Sequence, residues 1–106
     1  MSRAVVIGER GLILGFKGVG VEVIPGDTAE DLRRELGRLS RQPDVALVMV
    51  TESIAGLAPD ALADFRAVSA AILTTIPTHR GSTHFSFNEM RGAVERSIGV
   101  DMLGKD

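Results

Sequence analysis

The chain contains no cysteine, no tryptophan and no tyrosine, and each absence removes a class of function. Without thiols there can be no disulfide framework, no thiolate nucleophile and no cysteine-ligated metal. The only aromatic residues are four scattered phenylalanines, so the sequence offers no stacking platform for nucleic-acid bases. The net charge of −2 also argues against nucleic acid as the main partner, because phosphate backbones are bound by positive charge.

Long apolar runs are missing as well. No stretch approaches the roughly 18 apolar residues that cross a bilayer, so we expect no transmembrane helix. The opening MSRAVVIGER has too short an apolar run for a signal peptide and no small-residue cleavage site. What is present is 106 residues with 44% hydrophobic and 25% charged side chains. That size and composition are typical of one globular domain with its own core.

Four short apolar segments predict the strands of an α/β domain. They are Ala4–Ile7, Val19–Ile24, Val45–Val50 and Ala70–Ile76. The first and third are uninterrupted and apolar, as strands covered on both faces are. Because helical patterns separate them, we expect right-handed crossovers and a small, doubly wound, four-stranded parallel sheet. The predicted strand order is 2-1-3-4, as in flavodoxin and receiver domains, with a ligand crevice at the carboxyl ends of strands 1 and 3.

The helix signals lie between these strands. The segment TAED (28–31) reads as a capping box, and one face of the helix that follows is formed by leucines, Leu32, Leu36 and Leu39. Pro59 is expected in the first turn of a further helix, because proline is tolerated there. We predict a single domain over 1–106, with an α/β core in 1–78 and a loop and C-terminal helix or tail in 79–106.

The glycine-rich stretch GERGLILGFKGVG (8–20) follows strand 1, where phosphate loops lie in nucleotide-binding folds. It holds five of the 12 glycines. Its spacing fits neither common motif: Lys17 is followed by Gly18 rather than by a hydroxyl residue, and a dinucleotide fingerprint begun at Gly18 would run into the second strand. We therefore predict that these glycines permit tight turns and close packing, and that they do not bind phosphate.

The other candidate chemistries are also incomplete. A receiver domain needs a phosphoacceptor aspartate at the end of strand 3, where this chain has Thr51 and Glu52. The two histidines, His79 and His84, have no third ligand or orienting carboxylate near them in sequence. We therefore predict no catalytic residue, no cofactor and no metal site.

The clearest signal for a partner lies towards the C-terminus. The segment FNEMRGAVERSI (87–98) has helical periodicity, and its apolar stripe continues into GVDML (99–103). Apolar side chains kept near a terminus suggest a docking surface, with polar neighbours suited to its rim. The candidate partner-binding residues are Phe87, Met90, Arg91, Val94, Ile98, Met102 and Leu103.

Five segments, in this order and spacing, resemble the F subunit of the V-type and A-type rotary ATPases, or ATP synthases. They are AVVIGE (4–9), LGFKGVGVEV (14–23), VALVMVTESIA (45–55), ILTTIPT (72–78) and VERSIGVDML (94–103). The chain departs from the family pattern in two places. Lys17-Gly18-Val19-Gly20 stands where the family usually has a basic residue followed by Leu-Ala-Gly, and Ser69-Ala70-Ala71 where a proline often begins the fourth strand.

The resemblance implies a non-catalytic rotor subunit of the central stalk, which helps couple ATP hydrolysis or synthesis to proton or sodium transport. Its C-terminal helix would lie along the coiled-coil D subunit, and Gly15-Phe16 would place an aromatic ring against the core. The membrane would be met only through the complex, at its cytoplasmic face. Two other interpretations stay open: a degenerate receiver-like signalling domain, and a small anion-binding enzyme domain that uses the Gly8–Gly11 turn with Arg10, Lys17 or Arg80.

Overall fold

The structure, a computed structural model, describes residues 2–77, in which four parallel strands form one sheet. The strands are β1 (Arg3–Gly8), β2 (Glu22–Pro25), β3 (Val45–Thr51) and β4 (Ile72–Ile76). Their order is β2-β1-β3-β4, which confirms the predicted topology. The apolar strands β1 and β3 lie at the centre and pair in register from Ala4 opposite Leu47 to Ile7 opposite Val50.

The helices connect these strands on both faces of the sheet. They are α1 (Arg10–Ile13), a 3-10 helix (Leu14–Val19), α2 (Ala29–Leu39), α3 (Glu52–Ala55) and α4 (Pro59–Val68). Helix α2 begins with the predicted capping box, since the Thr28 side chain accepts from the Asp31 N–H and the Asp31 carboxylate accepts from the Thr28 N–H. Pro59 is the first residue of α4, also as predicted.

Two predicted strand boundaries are wrong. The second strand begins at Glu22, because Val19 ends the 3-10 helix and Gly20 then turns the chain with φ of 82°, a left-handed conformation suited to glycine. The fourth strand begins at Ile72 and not at Ala70, since the Ser69 hydroxyl accepts from the Ala71 N–H in a turn before the strand. Both errors fall where the chain departs from the family pattern.

The buried side chains form two clusters, one on each face of the sheet. The larger cluster joins alternate residues of β1 and β3 to the leucines of α2 and to Phe65 of α4. The smaller cluster joins the other residues of these strands, such as Val6 and Met49, to Ile13 and Phe16. Phe16 is 5% exposed, so its ring is buried beside the sheet as the resemblance implied.

Candidate functional site

The crevice predicted for ligands lies where β1 and β3 end. Gly8 is the last residue of β1, Thr51 is the last residue of β3, and α1 and α3 begin immediately after them. Glu9 precedes α1, and Ser53 lies in α3. These four residues, Gly8, Glu9, Thr51 and Ser53, are called the crevice cluster below.

A hydrogen-bonded carboxylate occupies the crevice cluster. Thr51, which is 1% exposed, donates its hydroxyl to Glu9 Oε1 at 2.8 Å, and the Ser53 hydroxyl donates to Glu9 Oε2. Burial by itself raises the pKa of the Glu9 carboxyl, but hydrogen bonds from Ser53, from the Glu9 backbone and from Thr51 outweigh it and hold the pKa below its ordinary value. Glu9 is therefore ionised at neutral pH and ties α1 to the end of β3 and to α3.

Gly8 lets two side chains pack directly against the end of β1, where any other residue would clash with them. A Cβ atom at Gly8 would lie 2.3 Å from Thr51 Cγ2 and 2.8 Å from Ile13 Cγ2. Gly11 and Gly18 differ, because a Cβ there would meet nothing within 4 Å. Within the glycine-rich stretch, Gly8 therefore allows close packing and Gly20 forms a turn. The residues between them form α1 and the 3-10 helix.

This geometry does not suit an anion. A phosphate at the end of β1 would meet the ionised Glu9 carboxylate, and the Thr51 hydroxyl is already donated to that carboxylate. The segment expected as a Gly8–Gly11 turn is not an open loop, because α1 begins at Arg10. The crevice cluster links the ends of β1 and β3 through hydrogen bonds to Glu9. Both of its hydroxyls donate to that carboxylate, so neither is available to a phosphate.

A second surface feature, missed by the sequence reasoning, is a groove between α2 and α4. Its floor consists of Leu36, Ala61 and Phe65, and at one end an Arg33–Asp60 ion pair joins the two helices at 3.3 Å. The walls of this α2–α4 groove are formed by Gly37, Ser40, Asp64 and Val68. The one signal in the sequence that could have pointed to it is a glycine, Gly37, inside an otherwise regular helical pattern.

The predicted partner-binding residues cannot be placed. Phe87, Met90, Arg91, Val94, Ile98, Met102 and Leu103 all lie outside the described residues, as do Arg80 and both histidines. Within residues 2–77 there is no group of three acidic or histidine side chains placed to hold a metal ion. In the same part of the chain, no helix has the length and hydropathy needed to cross a membrane.

Sequence comparison identifies the family. Residues 4–94, which are most of the chain, match the model of the family described as "ATP synthase (F/14-kDa) subunit". The chain belongs to this family of F subunits. The resemblance noted from five short segments is thereby confirmed, and with it the assignment to a component of a rotary ATP synthase complex.

Several known F subunits align with nearly the whole chain. The F subunit of a V-type ATP synthase in Clostridium botulinum (strain Eklund 17B / Type B) is 26% identical over 92% of this chain and 94% of its own length. That of Fusobacterium nucleatum is 26% identical over 97% of each chain. The F subunit of an A-type ATP synthase in Thermococcus sibiricus is 29% identical over 94% of this chain and 97% of its own. Both V-type and A-type F subunits are thus similar to it.

Proposed function

We propose that this protein is a non-catalytic part of the central rotor, which binds the coiled-coil D subunit of the stalk and helps couple ATP hydrolysis or synthesis to ion transport. The observation that carries the proposal is the family match over residues 4–94. The complex would place the protein peripherally, at the cytoplasmic face of the membrane. The ATP sites would then belong to other subunits.

The crevice cluster supports the non-catalytic part of this proposal. Folds of this topology bind ligands at the carboxyl ends of the central strands. Here those ends are joined by Gly8 packed against Thr51 and by the Glu9 carboxylate bonded to two hydroxyls. The position that would be reactive in a receiver domain thus carries a structural contact, which disfavours the signalling alternative.

Residues 79–106 are proposed to supply the D-binding surface. In a helix over 87–98, the side chains of Phe87, Met90, Val94 and Ile98 would lie on one face, because residues three, four and seven apart share a helix face. An apolar stripe of this kind suits helix-on-helix docking along a coiled coil. Residues 2–77 form the sheet and its covering helices, so the docking segment would be attached after β4.

Co-expression with the D subunit of the same organism tests this proposal. We expect a one-to-one complex by size-exclusion chromatography with light scattering, and loss of that complex when the chain ends before Phe85. Val94→Asp should weaken binding by an order of magnitude or more, because it places a charge in the apolar contact. The affinity is measured by titration calorimetry.

The matched control is Gly92→Asp, which adds the same charge about 160° away around the predicted helix. It should bind D as the unaltered chain does, and circular dichroism should show both variants folded. Full-strength binding by folded Val94→Asp would contradict the docking model. Failure of the unaltered chain to bind D at all would contradict the proposed function itself.

A further inference from the structure

Gly37 occupies an unusual place in α2. It lies within the helix Ala29–Leu39 and forms part of the wall of the α2–α4 groove. Its backbone has no left-handed conformation, and a Cβ atom added to it would meet nothing within 4 Å. Glycine inside a helix lowers stability relative to alanine. Neither the backbone nor the packing within residues 2–77 therefore requires a glycine here. The Gly37 carbonyl oxygen accepts from the Ser40 hydroxyl and the Arg41 guanidinium, while its side-chain position stays open at the groove.

The opposite wall of the groove has an apolar side chain and, one helical turn away, a carboxylate with no ion pair among the described residues. Val68 is 71% exposed, although it is a large aliphatic residue beside the groove. Asp64 is exposed, and no ion pair to it is found within residues 2–77. The other acid on the groove, Asp60, is paired with Arg33, and the nearby Arg41 guanidinium donates to the Gly37 carbonyl oxygen, so Asp64 is the groove carboxylate left without an ion pair among residues 2–77.

These features together specify what the groove would bind. The open side-chain position at Gly37 permits another helix to approach closely, Val68 offers it an apolar contact, and Asp64 offers a partner to a cation. We infer that the α2–α4 groove binds an amphipathic α-helix of another subunit in the assembled complex. This helix crosses over Gly37 with a small residue and sets a lysine or arginine beside Asp64. The groove is lined by residues 33–68 of the chain, whereas residues 79–106 are proposed to bind D, and the inference rests only on membership in the complex.

The first test uses Gly37→Ala, whose effects on stability and on assembly should have opposite signs. The added methyl group enters open space in the isolated chain, so the melting temperature should rise by a few degrees. In the complex the same methyl group would stand between the two helix backbones. When the variant and the unaltered chain are co-expressed and compete for incorporation, the complex should be enriched in the unaltered chain, as measured by mass spectrometry.

Charge variants at Asp64 test the cation. Asp64→Lys should be strongly depleted in the same competition, because it places like charges together, whereas Asp64→Glu should compete nearly equally. Gly11→Ala serves as the control for a glycine with open space elsewhere on the surface. Equal incorporation of Gly37→Ala and Asp64→Lys with the unaltered chain would overturn the inference.

The second test locates the contact directly. Since the chain has no cysteine, Val68→Cys introduces a unique thiol, and Leu14→Cys provides a matched one on a side chain that is 51% exposed on the 3-10 helix. Both thiols should react with a maleimide in the isolated chain. In the complex, purified through a tag on a different subunit, the thiol at position 68 should react far more slowly than before.

The outcomes separate the inference from the proposed function. A thiol at position 68 that reacts as fast in the complex as in isolation overturns the groove assignment and leaves D binding untouched. If the isolated chain dimerises and Gly37→Ala abolishes the dimer, the groove binds a second copy of this chain. That result would also overturn the inference that it binds a helix of another subunit. Absence of the unaltered chain from the purified complex would overturn both the proposed function and the groove assignment.

Discussion

Gly8 shows most directly how one residue type is required by the packing. Its missing side chain lets the end of β1 approach Thr51 and Ile13, which are 1% and 0% exposed. Both neighbours are β-branched and enclosed, so neither can turn away without disturbing the smaller cluster or the Glu9 hydrogen bond. The first glycine of the glycine-rich stretch is thus a packing residue.

Gly8→Ala should lower the free energy of unfolding by roughly 1–3 kcal/mol, because overpacking a filled site forces strain on its neighbours. Urea unfolding followed by circular dichroism measures the change. Gly11→Ala is the control and should leave stability unchanged or slightly higher, since its Cβ meets nothing. Adding Thr51→Ser to Gly8→Ala removes the nearest methyl group and should recover part of the loss. Unchanged stability of Gly8→Ala would contradict the geometry at the crevice.

Among the elements, α2 is the one whose ends and faces the sequence specifies most completely. Its capping box satisfies amide groups at the N-terminus, and its leucines lie on the face that meets the sheet. The Asp31 carboxylate accepts from the Asp27 N–H at 2.9 Å and the Thr28 N–H at 3.3 Å, and an Arg34 nitrogen lies 3.0 Å away. The first of these bonds, with help from Arg34 and Thr28, lowers the pKa of Asp31 from 3.8 to about 2.

This lowered pKa predicts a dependence of stability on pH. A carboxyl whose pKa is lower in the folded chain stabilises the fold above its unfolded pKa, and that contribution disappears as pH falls through the folded value. The difference in unfolding free energy between the unaltered chain and Asp31→Asn should therefore be constant above about pH 5 and shrink towards pH 2. Denaturant unfolding across this range measures it. Asp64→Asn, at an exposed carboxylate outside this capping network, is the control. If the difference in unfolding free energy between the unaltered chain and Asp31→Asn stayed constant down to pH 2, it would contradict the hydrogen bonding assigned to Asp31.

At the level of the whole molecule, the sheet topology determines which chemistry is available. The order β2-β1-β3-β4 brings the ends of β1 and β3 side by side, the place where related folds hold phosphates or flavins. In this chain the same place contains an ionised carboxylate and a buried threonine. The fold is therefore shared with ligand-binding domains, while the crevice itself is closed by the chain's own side chains.

We accordingly expect no saturable binding of ATP or inorganic phosphate to the isolated chain. Amide resonances of Gly8 and Thr51 should not shift during an NMR titration with either compound. Glu9→Gln is the informative control, because it removes the negative charge and leaves the close packing of Gly8 on Thr51. If neither protein binds, the packing alone excludes the ligand. Saturable shifts at the crevice of the unaltered chain would revive the anion-binding interpretation.

Local patterns in the sequence were enough to predict the four strands and their parallel order, helices α2 and α4 and the cap at Thr28, and five short segments led to the correct family. These features depend on periodicity, turn residues and capping side chains, which act over a few neighbouring positions. The same local patterns placed the starts of β2 and β4 two to three residues early, because apolar residues near a strand look the same whether they lie in a turn or in the strand.

The contents of the crevice and of the α2–α4 groove follow from contacts that form only in the folded chain. Glu9 bonds to Thr51 across 42 positions, and Arg33 pairs with Asp60 across 27. A glycine after a first strand looks the same in sequence whether it binds phosphate or packs against a side chain. At Gly8 the closeness of the Thr51 side chain shows that it serves packing. Likewise the sequence shows Gly37 only as a helix-destabilising residue within α2. Its position on the wall of a groove is seen once α4 packs beside α2. Contacts between residues far apart in the chain follow from packing, and no local pattern encodes them.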